Sequence, residues 1–484
     1  MIKDHYIKTK RQLEVISPTA CIAKWHQVTL HLGTGTNHSC HHPMPHHIPI
    51  EELENNPSAI HNTLHKKQQR KLMLEGERPE ECDYCWRVED SAKEKGHDAQ
   101  SEIFSDRITK SSEPWAQAQF ASVTKMPWDA NVNPAYMEVD FDTTCNFKCM
   151  YCSPSYSTTW MQEIKQHGPY NLPGFSFNSV NHLKAGTGLP ILQNEHNPYV
   201  DAFWKWWPDA VKDLHTFRLT GGEPLLSKHT FKMLDYLIDN PQPQLEFSVN
   251  SNLGAPKEII DKFIEKMGII VDNKCVKEFK LFTSNEAHGK KAEYIRFGLN
   301  YSEWFNNVDR VLSEIPDSRV TIMSTYNILS VTSYTDFLKD MLALKLEYAD
   351  PKYRQLPLSV DIPYLRHPQF LAAWVLTENF LEKVSDTVTF MYKNQEFSGW
   401  YPLATKGFYD YEIHRMERLY YTILHAMGAN KPENIQGRIN FYHYIEEYDR
   451  RRGTNFRETF PELEGYYHFC KDTAENAKIK NPIL

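Results

Sequence analysis

Seven of the nine cysteines in this 484-residue chain fall into two groups whose spacing suits metal ligation. Cys145, Cys149 and Cys152 stand at CxxxCxxC spacing in a loop that follows residues 137–141, where apolar and acidic side chains alternate as they do in a strand. Three thiolates on so short a loop can wrap one corner of a cubane iron-sulfur cluster, each on its own iron, and leave the fourth iron without a local protein ligand. A structural zinc site is the alternative, although it favours four protein ligands and commonly uses paired CxxC knuckles. Cysteine spacing alone does not identify the metal. The second group is Cys21, Cys40, Cys82 and Cys85. Its four thiolates are enough to close a second cluster or a zinc site, and spacing leaves both open.

Further along, Phe217-Arg-Leu-Thr-Gly221-Gly222-Glu223-Pro224 reads as a strand ending in two glycines and an acid. The glycines let backbone approach a ligand closely, and the glutamate can accept hydrogen bonds from an amino group. With CxxxCxxC after one strand and GGEP after the next, the chain resembles the radical S-adenosylmethionine superfamily. The resemblance implies that Cys145, Cys149 and Cys152 hold a 4Fe-4S cluster whose open iron is chelated by S-adenosylmethionine. One electron would then cleave the cofactor to methionine and a 5'-deoxyadenosyl radical that abstracts hydrogen from a substrate.

By the same resemblance, Gly221, Gly222 and Glu223 receive the methionyl amino group and Tyr151 meets the adenine. Asn250 and Ser251, in Asn250-Ser251-Asn252, lie where relatives place a ribose contact. Ser284 and Arg296 resemble residues that hold the cofactor carboxylate, a task that suits an arginine fork. Helix capping and surface ion pairs are the alternative roles for these last positions. Val320-Thr-Ile-Met-Ser-Thr-Tyr-Asn327 lacks the glycine-bearing adenine motif of many relatives. No hydrogen-donating residue is assigned, because Cys275 and Cys470 read first as small buried hydrophobes.

Cys21, Gly35 and Cys40 look like the opening half of the auxiliary-cluster module called SPASM, or twitch in its shortened form. Gly76-Glu-Arg-Pro-Glu-Glu-Cys82-Asp-Tyr-Cys85-Trp86 is similar to radical enzymes carrying a twitch domain. That module usually follows the barrel, whereas here it precedes it; the resemblance spans roughly residues 15–370. It implies a second, auxiliary 4Fe-4S cluster and an external reductant such as flavodoxin or ferredoxin. The implied substrate is a peptide or protein, with a sugar or other small metabolite as the alternative. A non-catalytic zinc-binding interaction protein is the reading from another class.

Positioning these residues requires alternating strands and helices. Strands are expected near 137–141, 215–220, 245–250, 277–283, 319–324 and 358–363, with helices near 201–212, 228–239, 256–267, 291–314, 332–346 and 370–394. Six strand-helix units predict an α/β fold with a partial (β/α)6 TIM-like barrel, catalytic groups gathering at the carboxyl ends of the strands. The expected domains are 1–130, a twitch-like auxiliary-cluster domain and linker; 131–370, the barrel; and 371–484, a mostly helical C-terminal region. Residues 21–40 read as a hairpin, 86–130 as helix and then linker, and 156–198 as a lid, substrate loop or solvated excursion.

Composition is that of an ordinary soluble protein, 41% apolar and 24% charged. Net charge is -8 with no extended basic run, which does not favour nucleic-acid binding. No apolar stretch reaches transmembrane length and the N-terminus carries no signal-peptide core, so no membrane partner and a cytoplasmic location are expected. Odd cysteine number in such a chain favours metal sites over disulfides. The histidines at 38, 41, 42, 46 and 47 read as a polar loop beside Cys40, with metal binding as the alternative.

Overall fold

Residues 276–284 alternate so that Val276, Phe279, Leu281 and Thr283 are buried while their neighbours are more exposed, the period of a strand packed on at least one face. The computed structural model, which describes residues 2–94, 102–186, 188–349, 356–397, 404–428 and 431–480, contains nine strands in one mixed sheet. They are β1 (Gln27–His31), β2 (Thr36–His38), β3 (His46–His47), β4 (Tyr136–Asp140), β5 (Thr216–Thr220), β6 (Gln242–Ser251), β7 (Val276–Ser284), β8 (Arg319–Met323) and β9 (Leu358–Asp361). Their order is β9-β8-β7-β6-β5-β4-β1-β2-β3. The fold is therefore α/β, with β4 to β9 in sequence order across the sheet and helices between them. Helices such as Lys228–Asp239 bury one stripe, here Thr230, Phe231, Leu234 and Leu237.

The chain forms two compact units, each assembled from separated segments: Met1–Thr143, Lys184–Ser248 and Lys274–Glu278 in the first, Thr144–Leu183, Val249–Asn273 and Phe279–Leu484 in the second. In the first unit, β1 pairs parallel with β4 from Gln27↔Tyr136 to His31↔Asp140, and β4 pairs parallel with β5 from Tyr136↔Thr216 to Asp140↔Thr220. The N-terminal hairpin thus extends the sheet through β4. It is shorter than expected, because residues 22–26 form a helical turn and the hairpin pairs only from Thr29↔His38 to His31↔Thr36; β3 then pairs antiparallel with β2. Residues 86–130 are not a linker where they are described: Trp86, Ile108, Trp115 and Val123 are buried in one core with Leu13, Trp25 and Met73. Residues 95–101 lie outside the described part. The aromatic run at 203–207 lies in helix Pro198–Ala210, with Phe203, Trp206 and Trp207 buried.

In the second unit, β7 pairs parallel with β8 and β8 with β9. The stretch after residue 156 is structured, with helix Thr158–His167 followed by a hairpin of Tyr170–Leu172 and Phe175–Phe177. Four long helices, Leu381–Lys393, Asp410–Ala426, Pro432–Arg452 and Glu464–Lys480, make up most of the C-terminal region. One of them is tied to the sheet by charge. Glu412 accepts from the backbone N–H of Val360 on β9 at 2.6 Å and of Tyr409 at 2.6 Å, and it holds Lys345 at 2.8 Å with both side chains at 0% exposure.

A buried ion pair loses more when one partner is removed than it contributes as a pair, since the remaining charge is left without compensation. Lys345→Met is therefore expected to cost about 3–5 kcal/mol in urea unfolding, and adding Glu412→Gln should recover part of that loss. A change no larger than that of Lys339→Met, whose partner Asp336 is exposed, would contradict this assignment.

Candidate functional site

The CxxxCxxC loop is anchored in the second unit at nearly every backbone group. Ser157 and Thr159 hydroxyls both donate to the Phe147 carbonyl at 2.8 Å, Trp160 Nε1 donates to the Cys149 carbonyl at 2.9 Å, and Asn178 Nδ2 donates to the Cys152 carbonyl at 2.9 Å. Lys148–Cys149 pairs antiparallel with Arg296–Phe297. Phe147 is buried against two glycines: a Cβ on Gly254 would stand 2.3 Å from its ring Cζ, and one on Gly298, at φ +111, 2.9 Å from its Cδ1. These glycines leave room for the ring that pins the loop.

The C-terminal helix Pro432–Arg452 supplies the rest. Arg452 Nη1 donates to the Lys148 carbonyl at 2.6 Å while Nε meets Glu163 at 3.1 Å, and the Tyr444 hydroxyl donates to the Met150 carbonyl at 2.7 Å. Sequence reasoning assigned no chemistry to this region. Three consecutive arginines at 450–452 were its one local signal, and nothing in their spacing points to residue 148.

Arg296 and Tyr151, both singled out from sequence, meet here around Glu286, which was not. Arg296 reaches Glu286 Oε2 through Nε at 2.9 Å and Nη2 at 2.5 Å, Nη2 also donates to the Tyr151 hydroxyl at 2.6 Å, and that hydroxyl donates to Glu286 Oε1 at 3.0 Å. Arg296 Nη1 points at Cys149 Sγ from 3.7 Å. Burial works against the Arg296 charge, yet Glu286, Tyr151 and Cys149 together hold its pKa above the ordinary value. Burial raises the Cys149 thiol, which Arg296 opposes, and pushes Cys152 up to about 12. A metal bound at these sulfurs would displace those protons. Glu286 lies two residues past Ser284, at the end of β7, and that position is the signal that could have found it.

Asn252 donates to Asn146 Oδ1 at 3.0 Å and approaches Cys145 Sγ at 4.0 Å, so the residue directly after β6 reaches the cysteine loop, while Asn250 and Ser251 end the strand itself. The Ser251 hydroxyl accepts from Leu253 N–H at 3.0 Å.

Gly221, Gly222 and Glu223 belong to the first unit. Gly221 has φ +134, and a Cβ there would lie 3.1 Å from the Asp142 carbonyl and 3.2 Å from the Asp140 Cβ, so glycine is required by the end of β4 as well as by any ligand. Glu223 is buried and caps the short turn Pro224–Leu226, its Oε1 accepting from Leu225 N–H at 3.0 Å.

Cys21, Cys40, Cys82 and Cys85 also belong to this unit and line one small cavity with Lys24, Trp86 and Arg107. Cys21 precedes the helical turn at 22–26, Cys40 follows β2, Cys82 ends the turn Glu80–Cys82 and Cys85 sits in helix Asp83–Glu94. Burial raises all four thiols, Cys21 to about 12. Around them lie buried cations. Lys24 pairs with Glu81, but Lys66 bonds only the Gln27 carbonyl and His61, both at 2.9 Å, and Arg70 bonds Asn62 and carbonyl oxygens, neither with a carboxylate among the described residues. Burial, then Arg70 and Lys24, push the Lys66 pKa well down, and negative charge at Cys40 would lift it. Glu81 acts in the same direction as Cys40 and more strongly.

The histidines disperse instead of forming one site. His38 bonds His31 at 3.0 Å and the Cys40 carbonyl at 2.5 Å, and His31 in turn bonds Asp140. His46 bonds Thr63, while His41 and His42 flank Asp106. Among the described residues, His41, His42 and Asp106 form the only trio of His, Cys, Asp or Glu whose ligand atoms all lie within 4.8 Å of one another. Among the described residues neither cysteine group brings three sulfurs all within 4.8 Å of one another. Thiols are ligands that zinc and an iron-sulfur cluster both take.

No protein family, curated protein or solved structure matches the chain in comparison. Among the described residues no helix is long and apolar enough to cross a membrane.

If Phe147 pins the loop, Gly254→Val should destabilise the protein by about 1–3 kcal/mol through overpacking and expose residues 144–160 to limited proteolysis. Gly268→Ala, in helix Lys257–Asp272 with nothing within 4 Å of the new Cβ, should do neither. Equal behaviour of the two variants would refute the role given to Phe147.

Proposed function

We propose that this protein is a radical S-adenosylmethionine enzyme with a partial (β/α)6 barrel, an N-terminal twitch-like auxiliary-cluster domain and a helical C-terminal extension. The observation that carries the reading is topological: the CxxxCxxC loop and the GGEP segment follow the carboxyl ends of β4 and β5, which are neighbours paired in parallel. Cys145, Cys149 and Cys152 would hold one 4Fe-4S cluster, and Cys21, Cys40, Cys82 and Cys85 a second. Held by Cys145, Cys149 and Cys152, such a cluster would supply one-electron chemistry for reductive cleavage of S-adenosylmethionine.

The chain's own residues do the positioning. Phe147, Ser157, Thr159 and Arg452 fix the loop, so the three thiols keep their spacing before any metal arrives. Arg296 stabilises negative charge at Cys149 and orients Tyr151 through Glu286. Gly221, Gly222 and Glu223 would receive the methionyl amino group, and Asn250, Ser251 and Ser284 are the remaining candidates for cofactor contact. In the auxiliary site Lys24, Lys66 and Arg107 would offset thiolate charge. With Cys21, Cys40, Cys82 and Cys85 all as ligands, a second cluster would serve in electron transfer or in shaping the protein. The substrate in this reading is a peptide or protein, the electron donor flavodoxin or ferredoxin, and the location cytoplasmic.

Anaerobic reconstitution should give about eight irons per chain, two cubanes of four, and about four in the Cys82→Ala/Cys85→Ala double variant. With dithionite and S-adenosylmethionine the wild type should release 5'-deoxyadenosine slowly without substrate, and Cys149→Ala should abolish the release. One zinc and no iron-dependent cleavage would overturn the proposal.

A further inference from the structure

A cavity of about 690 Å³ lies within the second unit, and Tyr151, Cys152 and Ser153 of the cysteine loop are part of its wall. Its volume is that of a ligand site, in the range of about 300–1,000 Å³. The opposite walls come from the tip of the hairpin at 170–177, from residues 367–370 and from helix Pro432–Arg452. Asn178 joins wall to loop, since its Nδ2 donates to the Cys152 carbonyl.

Charge is the first constraint on an occupant. None of the lining residues is a lysine, arginine, aspartate or glutamate. His367 is the one lining side chain able to carry positive charge, so a diphosphate would exceed the countercharge available and an ammonium group would have none, at a penalty that only pairing could offset. Nucleotide-linked sugars and free amino acids fit poorly on that ground.

Hydrogen-bonding capacity is the second. Gln436 Nε2 donates to the Pro173 carbonyl at 3.1 Å and to Asn440 Oδ1 at 3.0 Å. A proline carbonyl can only accept, so this pairing fixes the orientation of the Gln436 amide, and that amide in turn fixes Asn440. Among the described residues Gln436 Oε1 and Asn440 Nδ2 have no hydrogen-bond partner in the protein. One accepts and the other donates, the complement of a peptide group's N–H and C=O. Phe175, Phe177 and Phe370 provide the apolar part, with Phe177 and Phe370 edge to face at 5.5 Å.

We propose that this cavity binds an uncharged internal segment of a polypeptide, one peptide group on Gln436 and Asn440 and an apolar side chain against the phenylalanines. Only the word substrate rests on the radical reading; the binding chemistry does not. The distinction it draws is between a peptide backbone and a phosphorylated metabolite.

The test uses the full chain after anaerobic reconstitution and saturation-transfer NMR with three probes: N-acetyl-phenylalanine methylamide, zwitterionic phenylalanine and uridine diphosphate glucose. The blocked amide should bind at least tenfold more tightly than either other probe. Asn440→Asp, nearly isosteric but lacking the donor, should weaken it at least tenfold, with Asn440→Leu as a second variant and circular dichroism confirming that each is folded. Tighter binding of the nucleotide sugar or of the zwitterion, or folded variants that bind the amide like wild type, would overturn the proposal. Absence of iron or of S-adenosylmethionine cleavage would defeat the radical reading instead, and would leave the ranking of the three probes intact.

Discussion

The order of the cysteine loop depends on one buried guanidinium. Arg452 is enclosed by Trp160, Tyr448 and Phe297, is neutralised by Glu163, and uses its remaining donor on the carbonyl of Lys148, the residue before Cys149. Arginine suits this position because its planar fork can face a carboxylate and a carbonyl while both faces lie on aromatic rings. Burying it is tolerable only because Glu163 is also held by Lys148 Nζ and the Tyr170 hydroxyl, so no member of the group is left unsatisfied. A helix near the C-terminus therefore sets the backbone of a loop some three hundred residues earlier.

A different balance operates in the first unit. Lys66 and Arg70 are buried on a helix that carries no carboxylate of its own, and burial works against both charges, while Glu81 and then Cys40 act to hold the charge on Lys66. The chain Asp140–His31–His38–Cys40 carbonyl adds a second tie, from the end of β4 across β1 and β2 to the segment that carries Cys40.

The C-terminal helices thus do more than cover apolar surface. Pro432–Arg452 clamps the cysteine loop with one stretch and supplies Gln436 and Asn440 to the uncharged cavity with another. Because both lie on a single helix, the side chains facing an occupant and those fixing the thiols share one rigid element. Precision of this kind is easier to hold on a helix than on a loop.

Strand and helix positions between residues 136 and 361 were legible because apolar residues recur with period two or with helical spacing, and local pattern is enough for that. The two cysteine groups and GGEP were legible because ligand types at short separations constrain chemistry locally. Burial of Trp86, Ile108, Trp115 and Val123 was not legible: the short helices that carry them are individually unremarkable, and Trp115 finds its core only when the N-terminal helix folds over it. Nor could spacing reveal Glu286, Arg452 or the Gln436–Asn440 pair, whose partners lie from four to about three hundred residues away. Which thiols can be ligands is thus written in the order of the residues. What holds them apart, neutralises them and walls the space beside Cys152 is decided by tertiary packing, because burial and long-range hydrogen bonds exist only after distant segments have met.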